Sequence, residues 1–311
     1  MRARAALLLS IPLLAAAGEA AAQPARQTLS PEQVRAQLGR LGLVQQEVLP
    51  RADGLRAVRL MLSVPPGPAP ASGWPVVYLL DGNAAMQALA ERDRGDLTAG
   101  VVLVGIGYDT NERVDGDARA WDYLPALPGA GPQGAPDPRN PLRRNGGAAD
   151  WRAFIENEVK PWATRHAPID PARQTLYGHS YGGLFVLDTL FTAPGSFQRF
   201  VAASPSMWWQ APYMMDRARE YVAAPRPGPA PEVVIMVGDA EHLRKPIPGA
   251  PTAEIRQVPA GQAAGLAGLL RTRDPEVAYI TFPGLTHGPM LPASAERAVE
   301  IAADRPATQP R

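Results

Sequence analysis

Residues 178–183 read GHSYGG, and the segments on either side of them decide the fold. A short apolar strand is predicted just before them, at 175–177, and a buried helix just after, at 184–191. A G-x-S-x-G pattern between a strand and a helix is typical of a nucleophile elbow, the sharp turn that lifts a serine hydroxyl out of a sheet. Glycine is expected at 178 and 182 because a Cβ at either position would collide with neighbouring backbone. Ser180 is therefore the predicted nucleophile.

Strand and helix patterns alternate through most of the chain. The runs at 76–80 and 101–104 are short and continuously apolar, which is typical of parallel strands buried on both faces. An early strand at 58–62 is expected to pair antiparallel at a sheet edge. The other predicted elements are strands at 200–203, 233–237 and 277–282, a helix at 151–159 that Pro161 should kink at its end, and a final helix at 295–303. This alternation predicts an α/β fold with a doubly wound, mostly parallel sheet of the α/β-hydrolase type.

One long segment, residues 110–147, breaks the alternation. It is rich in proline, glycine and charge and has no convincing helical or strand period. An insertion of this length is usually either functional or disordered. We expect it to form a cap or lid over the active site.

The N-terminal residues resemble an export signal. Arg2 and Arg4 precede an apolar run at 5–17 that is too short to span a bilayer, and three alanines at 20–22 fit a cleavage site. We predict a cleavable signal peptide at 1–22, a bacterial periplasmic location, and no stable membrane insertion after cleavage. The alternative is an uncleaved anchor. The hydrolase domain would then comprise residues 23–311.

Composition excludes several classes of protein. The 311 residues carry a net charge of +1, so the chain lacks the basic surface expected of a nucleic-acid-binding protein. It contains no cysteine, which rules out disulfides and thiolate metal sites. We predict neither a metal nor an organic cofactor.

A serine nucleophile needs a base, and histidine is the usual one. His287, in the sequence GLTHGP directly after the last predicted strand, is the predicted base, because this fold supplies its histidine last in chain order. His242 is a weaker candidate. His166 is expected at a helix end on the surface, and His179 lies inside the elbow, where it cannot face Ser180 as a base.

The acid that orients the histidine should follow the strand at 233–237. Two carboxylates stand there, and the usual spacing after a strand-end glycine favours Glu241, with Asp239 as the alternative acid. A third possibility is that both are solvated loop carboxylates and that Ser180 acts with His287 as a dyad.

An oxyanion hole needs two preorganised N–H donors. The backbone N–H of Tyr181, which follows the nucleophile, is the first predicted donor. The second is the N–H of Asn83 in the DGN sequence at 81–83, where Gly82 would let the backbone approach closely. A DGN sequence by itself is also common in ordinary turns.

Several motifs together resemble a known family. They are YLLDGNA at 78–84, RAWDYLP at 119–125, GHSYGGLFVLD at 178–188, ASPS at 203–206 and HGPM at 287–290. In this order they resemble the bacterial siderophore trilactone esterases, within the group that also holds esterase D and the mycolyltransferases, and most of all the periplasmic enterobactin and salmochelin esterases. The resemblance covers most of 75–300.

The resemblance implies an exported α/β-hydrolase that cleaves the ester backbone of catecholate siderophores. By position it makes Ser180 the nucleophile and His287 the base, with Asn83 and Tyr181 as oxyanion donors. Some members of the family act with a dyad, whereas this chain offers two carboxylates after the strand at 233–237, so dyad and triad both stay open.

A ferric tris-catecholate is large, aromatic and anionic, which suits a site with arginine and aromatic side chains. Arg119 and Arg143 lie in the segment 110–147, and Trp208 follows the strand at 200–203. These three are the predicted substrate contacts. For each of them the alternative is an ordinary role, as a solvated arginine or a packed tryptophan.

The sequence thus predicts a periplasmic serine esterase whose small-molecule partner is a catecholate siderophore, ferric or iron-free, with iron arriving as part of the substrate. A general carboxylesterase or acyltransferase for small or lipid-like acyl groups is the alternative enzyme, and it would cleave simple aryl esters but not catecholates. A non-catalytic binding protein on a hydrolase scaffold is the alternative outside enzymes. It is disfavoured because Ser180 and His287 are both present.

Overall fold

The computed structural model describes residues 32, 36, 38–51, 54–93, 95–138, 140–225, 228–243 and 261–305. The predicted signal peptide at 1–22 lies outside the described residues.

An eight-stranded sheet forms the centre of the molecule. The strands of the described chain are β1 (Leu43–Leu49), β2 (Val58–Ser63), β3 (Trp74–Leu80), β4 (Val102–Tyr108), β5 (Ala135–Pro136), β6 (Arg144–Asn145), β7 (Ile169–His179), β8 (Arg199–Ala203), β9 (Glu232–Gly238) and β10 (Ala278–Phe282). Their order in the sheet is β1-β2-β4-β3-β7-β8-β9-β10, and β5 with β6 makes a separate two-stranded hairpin. β2 pairs antiparallel with β1 and β4, and the later pairs are parallel. The predicted α/β fold and the antiparallel pairing of the strand at 58–62 are confirmed. The edge strand itself is β1, which the sequence analysis did not predict, and β2 lies one position inside it.

Helices cover both faces of this sheet. They are α1 (Gly82–Arg92), α2 (Gly116–Asp122), α3 (Ala148–Phe154), α4 (Lys160–His166), α5 (Tyr181–Thr192), α6 (Tyr213–Ala223), α7 (Gln262–Arg271) and α8 (His287–Ala302). Strand β3 explains why both faces need cover: Val76, Tyr78 and Leu80 belong to one buried cluster, and Val77 and Leu79 to the other. Alternate residues of a strand point to opposite faces, so a continuous apolar run requires helices on each side.

The helix predicted at 151–159 runs further than expected. A single π-helical turn, Ile155–Val159, joins α3 to α4, and Pro161 lies in the first turn of α4, which continues to His166. Proline has no N–H to donate to a carbonyl one turn earlier, and a widened turn accommodates that loss without ending the helix.

The last helix begins at His287, eight residues before the predicted start at 295. Gly288 and Pro289 made this stretch look like a loop. They occupy the first turn of α8, where backbone N–H groups have no partner within the helix, so a proline is tolerated there. The catalytic histidine candidate is therefore the first helical residue after β10.

The segment 110–147 is more ordered than its composition predicts. Asp115 caps α2 by accepting hydrogen bonds from the backbone N–H groups of Asp117 and Ala118, and the β5–β6 hairpin follows. Tyr123 and Leu124, just after α2, are fully buried against the main core. A helix of seven residues is too short to display a period in the sequence, which is why it was missed.

Candidate active site

Ser180 lies at the turn from β7 into α5 with φ +61° and ψ −115°, a backbone conformation that L-residues rarely adopt. The predicted glycine requirement is confirmed at Gly178, where a Cβ would come within 2.3 Å of the Gly182 carbonyl oxygen. The requirement is wrong at Gly182, because a Cβ added there would lie 3.5 Å from its nearest neighbour, the Leu80 side chain, which is an ordinary van der Waals contact. The crowded position on the helix side is Gly183, where a Cβ would lie 2.7 Å from the Ala203 carbonyl oxygen.

Three predicted residues from different parts of the chain form one hydrogen-bonded line. The Ser180 Oγ lies 3.0 Å from His287 Nε2, and His287 Nδ1 lies 2.9 Å from Glu241 Oε2. Because the carboxylate can only accept, Nδ1 donates to it, and Nε2 is left to accept the serine proton. The histidine and glutamate side chains are 15% and 16% exposed, so the line is shielded from water but reachable.

Glu241 is held in place by more than the histidine. It follows β9 in a short 3₁₀ turn, and its Oε1 accepts from the Ser204 hydroxyl at 2.6 Å and from the Gly238 N–H at 2.8 Å. Burial raises the pKa of Glu241, but the hydrogen bonds from His287 and Ser204 outweigh it, so the pKa is lower than usual. Glu241 is thus ionised at neutral pH and suited to stabilise a charged imidazole.

The alternative acid, Asp239, has a different position. It is exposed, and its Oδ1 accepts a hydrogen bond from the Gly284 N–H at 2.6 Å, which ties the loop after β9 to the loop after β10. The geometry therefore brings Glu241, and not Asp239, to His287.

The other histidines are placed as follows. The ring of His179 packs against that of His287, with centroids 4.6 Å apart. His242 is exposed in the 3₁₀ turn, and His166 is exposed at the end of α4, where its Nδ1 donates to the Trp162 carbonyl.

Both predicted oxyanion donors lie at helix N-termini. Tyr181 is the first residue of α5 and Asn83 the second of α1, so neither N–H has an acceptor one turn earlier in its own helix. Helix N-termini also carry partial positive charge. Gly82 lets the chain pass close to β4, since a Cβ there would lie 2.5 Å from the backbone nitrogen of Ile106. The side-chain amide of Asn83 donates from Nδ2 to the Tyr108 carbonyl at 3.0 Å, which anchors α1 to the end of β4.

The three predicted substrate contacts occupy different environments. Arg119 is largely buried and engaged by the Asp81 carboxylate, with Nε–Oδ1 at 2.9 Å and Nη2–Oδ2 at 2.8 Å. Arg143 is partly exposed, and its Nε lies 2.6 Å from Asp117 Oδ1. Trp208 is half-buried, with its ring centroid 5.7 Å from that of Tyr181. Substrate contact by any of them stays a prediction.

Sequence reasoning missed two serines of the site. The Ser206 Oγ lies 3.3 Å from the Ser180 Oγ, and its N–H donates to the Ser180 carbonyl at 3.1 Å. Ser204, with φ +44°, supplies the hydroxyl that donates to the Glu241 carboxylate. Both belong to the ASPS motif at 203–206, and two signals could have found them: the motif follows a parallel strand, and it is part of the family resemblance.

The part of the chain that the structure describes holds no group of histidine, aspartate and glutamate side chains suited to a metal ion. Among those residues there is also no helix long and apolar enough to cross a bilayer.

Comparison with known proteins agrees with this geometry. The family model described as Putative esterase matches residues 55–262. The ferri-bacillibactin esterase BesA of Bacillus subtilis is 36% identical over 199 residues, covering 61% of this chain and 68% of its own. The apo-salmochelin esterase of Escherichia coli is 32% identical over 262 residues, covering 79% of this chain and 75% of its own. A solved structure of the enterobactin hydrolase IroE in complex with DFP aligns with a TM-score of 0.67 at 30% identity, covering 83% of this chain and 94% of that one.

The fold and the site define an α/β-hydrolase that cleaves carboxylic esters. The chain belongs to the Putative esterase family.

Proposed function

We propose that this protein is a serine esterase that hydrolyses the ester bonds of catecholate siderophores. The observation that carries the proposal is the hydrogen-bonded line from Ser180 through His287 to Glu241 in a chain whose relatives include esterases named for bacillibactin and salmochelin. The line provides a nucleophile, a base and an ionised partner for the base.

In the first half-reaction, the Ser180 Oγ forms a bond to the ester carbonyl carbon while its proton passes to His287 Nε2. The imidazolium that results is stabilised by the Glu241 carboxylate on Nδ1. The carbonyl oxygen becomes an oxyanion, for which the N–H groups of Asn83 and Tyr181 are the proposed donors. Each such donor is worth about 10²- to 10³-fold in rate.

The intermediate then collapses. The bond to the leaving alcohol breaks, His287 returns its proton to that alcohol oxygen, and an acyl ester on Ser180 is left. In the second half-reaction water attacks this ester with His287 as base. The bond between the acyl carbon and the Ser180 Oγ breaks, the carboxylic acid is released, and His287 returns its proton to regenerate the Ser180 hydroxyl. No metal or cofactor takes part in these steps.

A tryptophan beside the elbow and two arginines on the β5–β6 hairpin support the proposal of an anionic, aromatic substrate. Trp208 lies beside Tyr181, and Arg143 and Arg144 follow Leu142 on the β5–β6 hairpin, where the leucine side chain is 93% exposed. Guanidinium groups pair with phenolate-like oxygens and stack on aromatic rings. Arg143, Arg144 and Trp208 are the proposed contacts for a catecholate.

The test is product analysis by mass-resolved chromatography after incubation with iron-loaded and iron-free enterobactin. We expect linear trimer or smaller fragments with the wild type and none with Ser180→Ala. Ser196→Ala, which changes a serine in the turn after the C-terminal end of α5, is the matched control and should act as wild type. Cleavage of a nitrophenyl ester without cleavage of enterobactin would instead favour a general carboxylesterase.

We also propose that the enzyme acts in the periplasm after loss of residues 1–22. The support is the basic and apolar pattern of the N-terminal residues. Mass analysis of protein recovered from a periplasmic extract should give a chain beginning at Gln23. Recovery of the full-length chain from the membrane fraction would contradict the proposal.

A further inference from the structure

The two backbone segments that carry the proposed oxyanion donors are both held by side chains of the segment 110–147. One segment is the start of α1 with Asn83, and the other is the elbow with Tyr181. The first segment follows β3 and the second follows β7, so the distance between the two N–H groups depends on the contacts that link these segments.

The α1 segment is held through Asp81, the residue before the helix. Asp81 has φ +50°, its N–H donates to the Tyr123 hydroxyl at 2.9 Å, and its carboxylate takes two hydrogen bonds from Arg119. Arg119 also donates from Nη2 to the carbonyl of His179 at 3.2 Å. A single guanidinium therefore connects the residue before α1 with the residue before Ser180.

The elbow segment is held through Tyr181 itself. Its hydroxyl donates to Asp137 Oδ2 at 2.8 Å, and the Arg119 guanidinium lies 5.3 Å from the centre of its ring. Asp137 is buried and is fixed in turn by the Asn145 amide at 3.2 Å and by the Asn140 N–H at 3.1 Å. Tyr181, which offers one of the two N–H groups, is thus held against the hairpin by its own side chain.

These contacts suit positioning better than stability. The Arg119–Asp81 pair is nearly out of solvent, with 13% and 2% of the side chains exposed. Burying such a pair gains little over an apolar packing of the same volume. An oxyanion hole, in contrast, loses much of its effect when its donors shift by about 1 Å. Arg119 also neutralises a carboxylate two residues from Asn83, which would otherwise repel the developing oxyanion.

We propose that Arg119 and Asp137 are positioning residues, through which the segment 110–147 sets the separation of the Asn83 and Tyr181 N–H groups. The inference rests on the proposed esterase function, and it gives Arg119 a role in the hole instead of a contact with substrate.

The first variant that tests it is Arg119→Lys, which keeps the charge but cannot hold both Asp81 oxygens and the His179 carbonyl together. We expect kcat on nitrophenyl acetate to fall about 10- to 100-fold with KM nearly unchanged. The inhibition constant of phenylboronic acid, which forms a tetrahedral adduct on the serine, should rise by a similar factor. Arg152→Lys is the matched control, because Arg152 pairs with Asp188 at 3.0 Å and similar burial, 17% and 4%, without touching either donor segment.

The second variant is Tyr181→Phe, which removes the hydroxyl that reaches Asp137 and keeps the backbone donor. Its matched control is Tyr177→Phe, since the Tyr177 hydroxyl is also buried and makes a 2.8 Å hydrogen bond, to Ser294 on α8. We expect Tyr181→Phe to lower kcat and boronate affinity together, and Tyr177→Phe to lower only the unfolding temperature.

Unchanged kcat in both site variants would overturn the inference, and so would equal losses in the site variants and their controls, which would mean a structural role. The nitrophenyl ester separates the inference from the substrate: if the wild type cleaves this ester but not enterobactin, the substrate assignment fails and the positioning role is still tested. A wild type that cleaves neither ester overturns both.

Discussion

At the scale of single residues, the site depends on which carboxylate reaches His287. Glu241 does so because a 3₁₀ turn after β9 places it there and because Ser204 and Gly238 hold its second oxygen. Asp239 is two residues away and points to the Gly284 N–H instead. Small differences in loop position thus separate the carboxylate that contacts His287 from one that ties two loops together.

Glu241→Gln should lower kcat/KM by about 10²- to 10⁴-fold, less than Ser180→Ala, because an amide cannot stabilise the imidazolium as a carboxylate does. Asp239→Asn, the matched control, should stay within about threefold of wild type, since an amide oxygen can still accept from Gly284. Steady-state kinetics on a nitrophenyl ester measures both. A larger loss in Asp239→Asn than in Glu241→Gln would exchange the two roles.

The lowered pKa of Glu241 also makes a prediction about stability. A carboxyl whose pKa is lower in the folded state stabilises the fold above its unfolded pKa, about 4.3, and this contribution is lost as the pH falls through the folded value. The free energy of unfolding of the wild type should therefore exceed that of Glu241→Gln most above about pH 5, and the difference should shrink on acidification. Urea unfolding from pH 3 to pH 8 measures it, and a difference that grows toward acid would be the wrong sign.

At the scale of elements, the turn from strand β7 into helix α5 places Ser180, the proposed nucleophile. The turn is tight enough that Gly178 faces the Gly182 carbonyl, and the helix packs close enough to β8 that Gly183 faces the Ala203 carbonyl. Gly182 itself has ordinary room for a methyl group. The glycines of the elbow pattern are therefore not equivalent. Close backbone contacts require glycine at 178 and 183, whereas position 182 has room for a side chain.

Gly178→Ala should lower the free energy of unfolding by about 2 kcal/mol or more, because rigid backbone atoms would have to move. Gly182→Ala should be neutral or slightly stabilising, because the added Cβ makes ordinary contacts and alanine favours a helix. Thermal and urea unfolding of the two variants provide the comparison. Equal destabilisation would mean that the turn needs glycine at both positions.

At the scale of the whole molecule, the segment 110–147 is docked onto the sheet and does not stand apart from it. Asp122, at the end of α2, accepts from Arg51 at 2.6 Å and from the Tyr108 hydroxyl at 2.9 Å, and its side chain is 1% exposed. This contact ties the insertion to the loop after β1 and to the end of β4. The insertion is therefore held to the sheet by a residue of the loop after β1, far from it in sequence.

Asp122→Ala should lower the free energy of unfolding by about 3–5 kcal/mol, because the buried Arg51 guanidinium would lose the carboxylate that it is paired with. Asp117→Ala is the matched control. Asp117 lies on the same helix as Asp122 and pairs with Arg143, but its side chain is 80% exposed, and such exposed pairs contribute at most about 1 kcal/mol. Urea unfolding at neutral pH measures both. Similar losses would mean that the insertion is not held through Asp122.

The chain by itself determined the fold class, the position of the elbow and the choice of His287 as the histidine that contacts Ser180. Apolar runs that need cover on both faces, glycines at a turn and a histidine after the last strand are local patterns, and local patterns reflect backbone sterics and burial that each segment imposes alone. The same argument favoured Glu241 over Asp239 but left both open, because the path of a loop is not encoded in its spacing.

Only the tertiary structure decided how these parts meet. It brought Ser204 and Ser206 to the line of Ser180 and Glu241, engaged Arg119 with Asp81, and fastened Tyr181 to the hairpin through Asp137. These contacts join residues that lie 26 to 44 positions apart in the chain, so no local sequence period predicts them. They exist because packing on a common sheet leaves buried polar groups that must find partners across it.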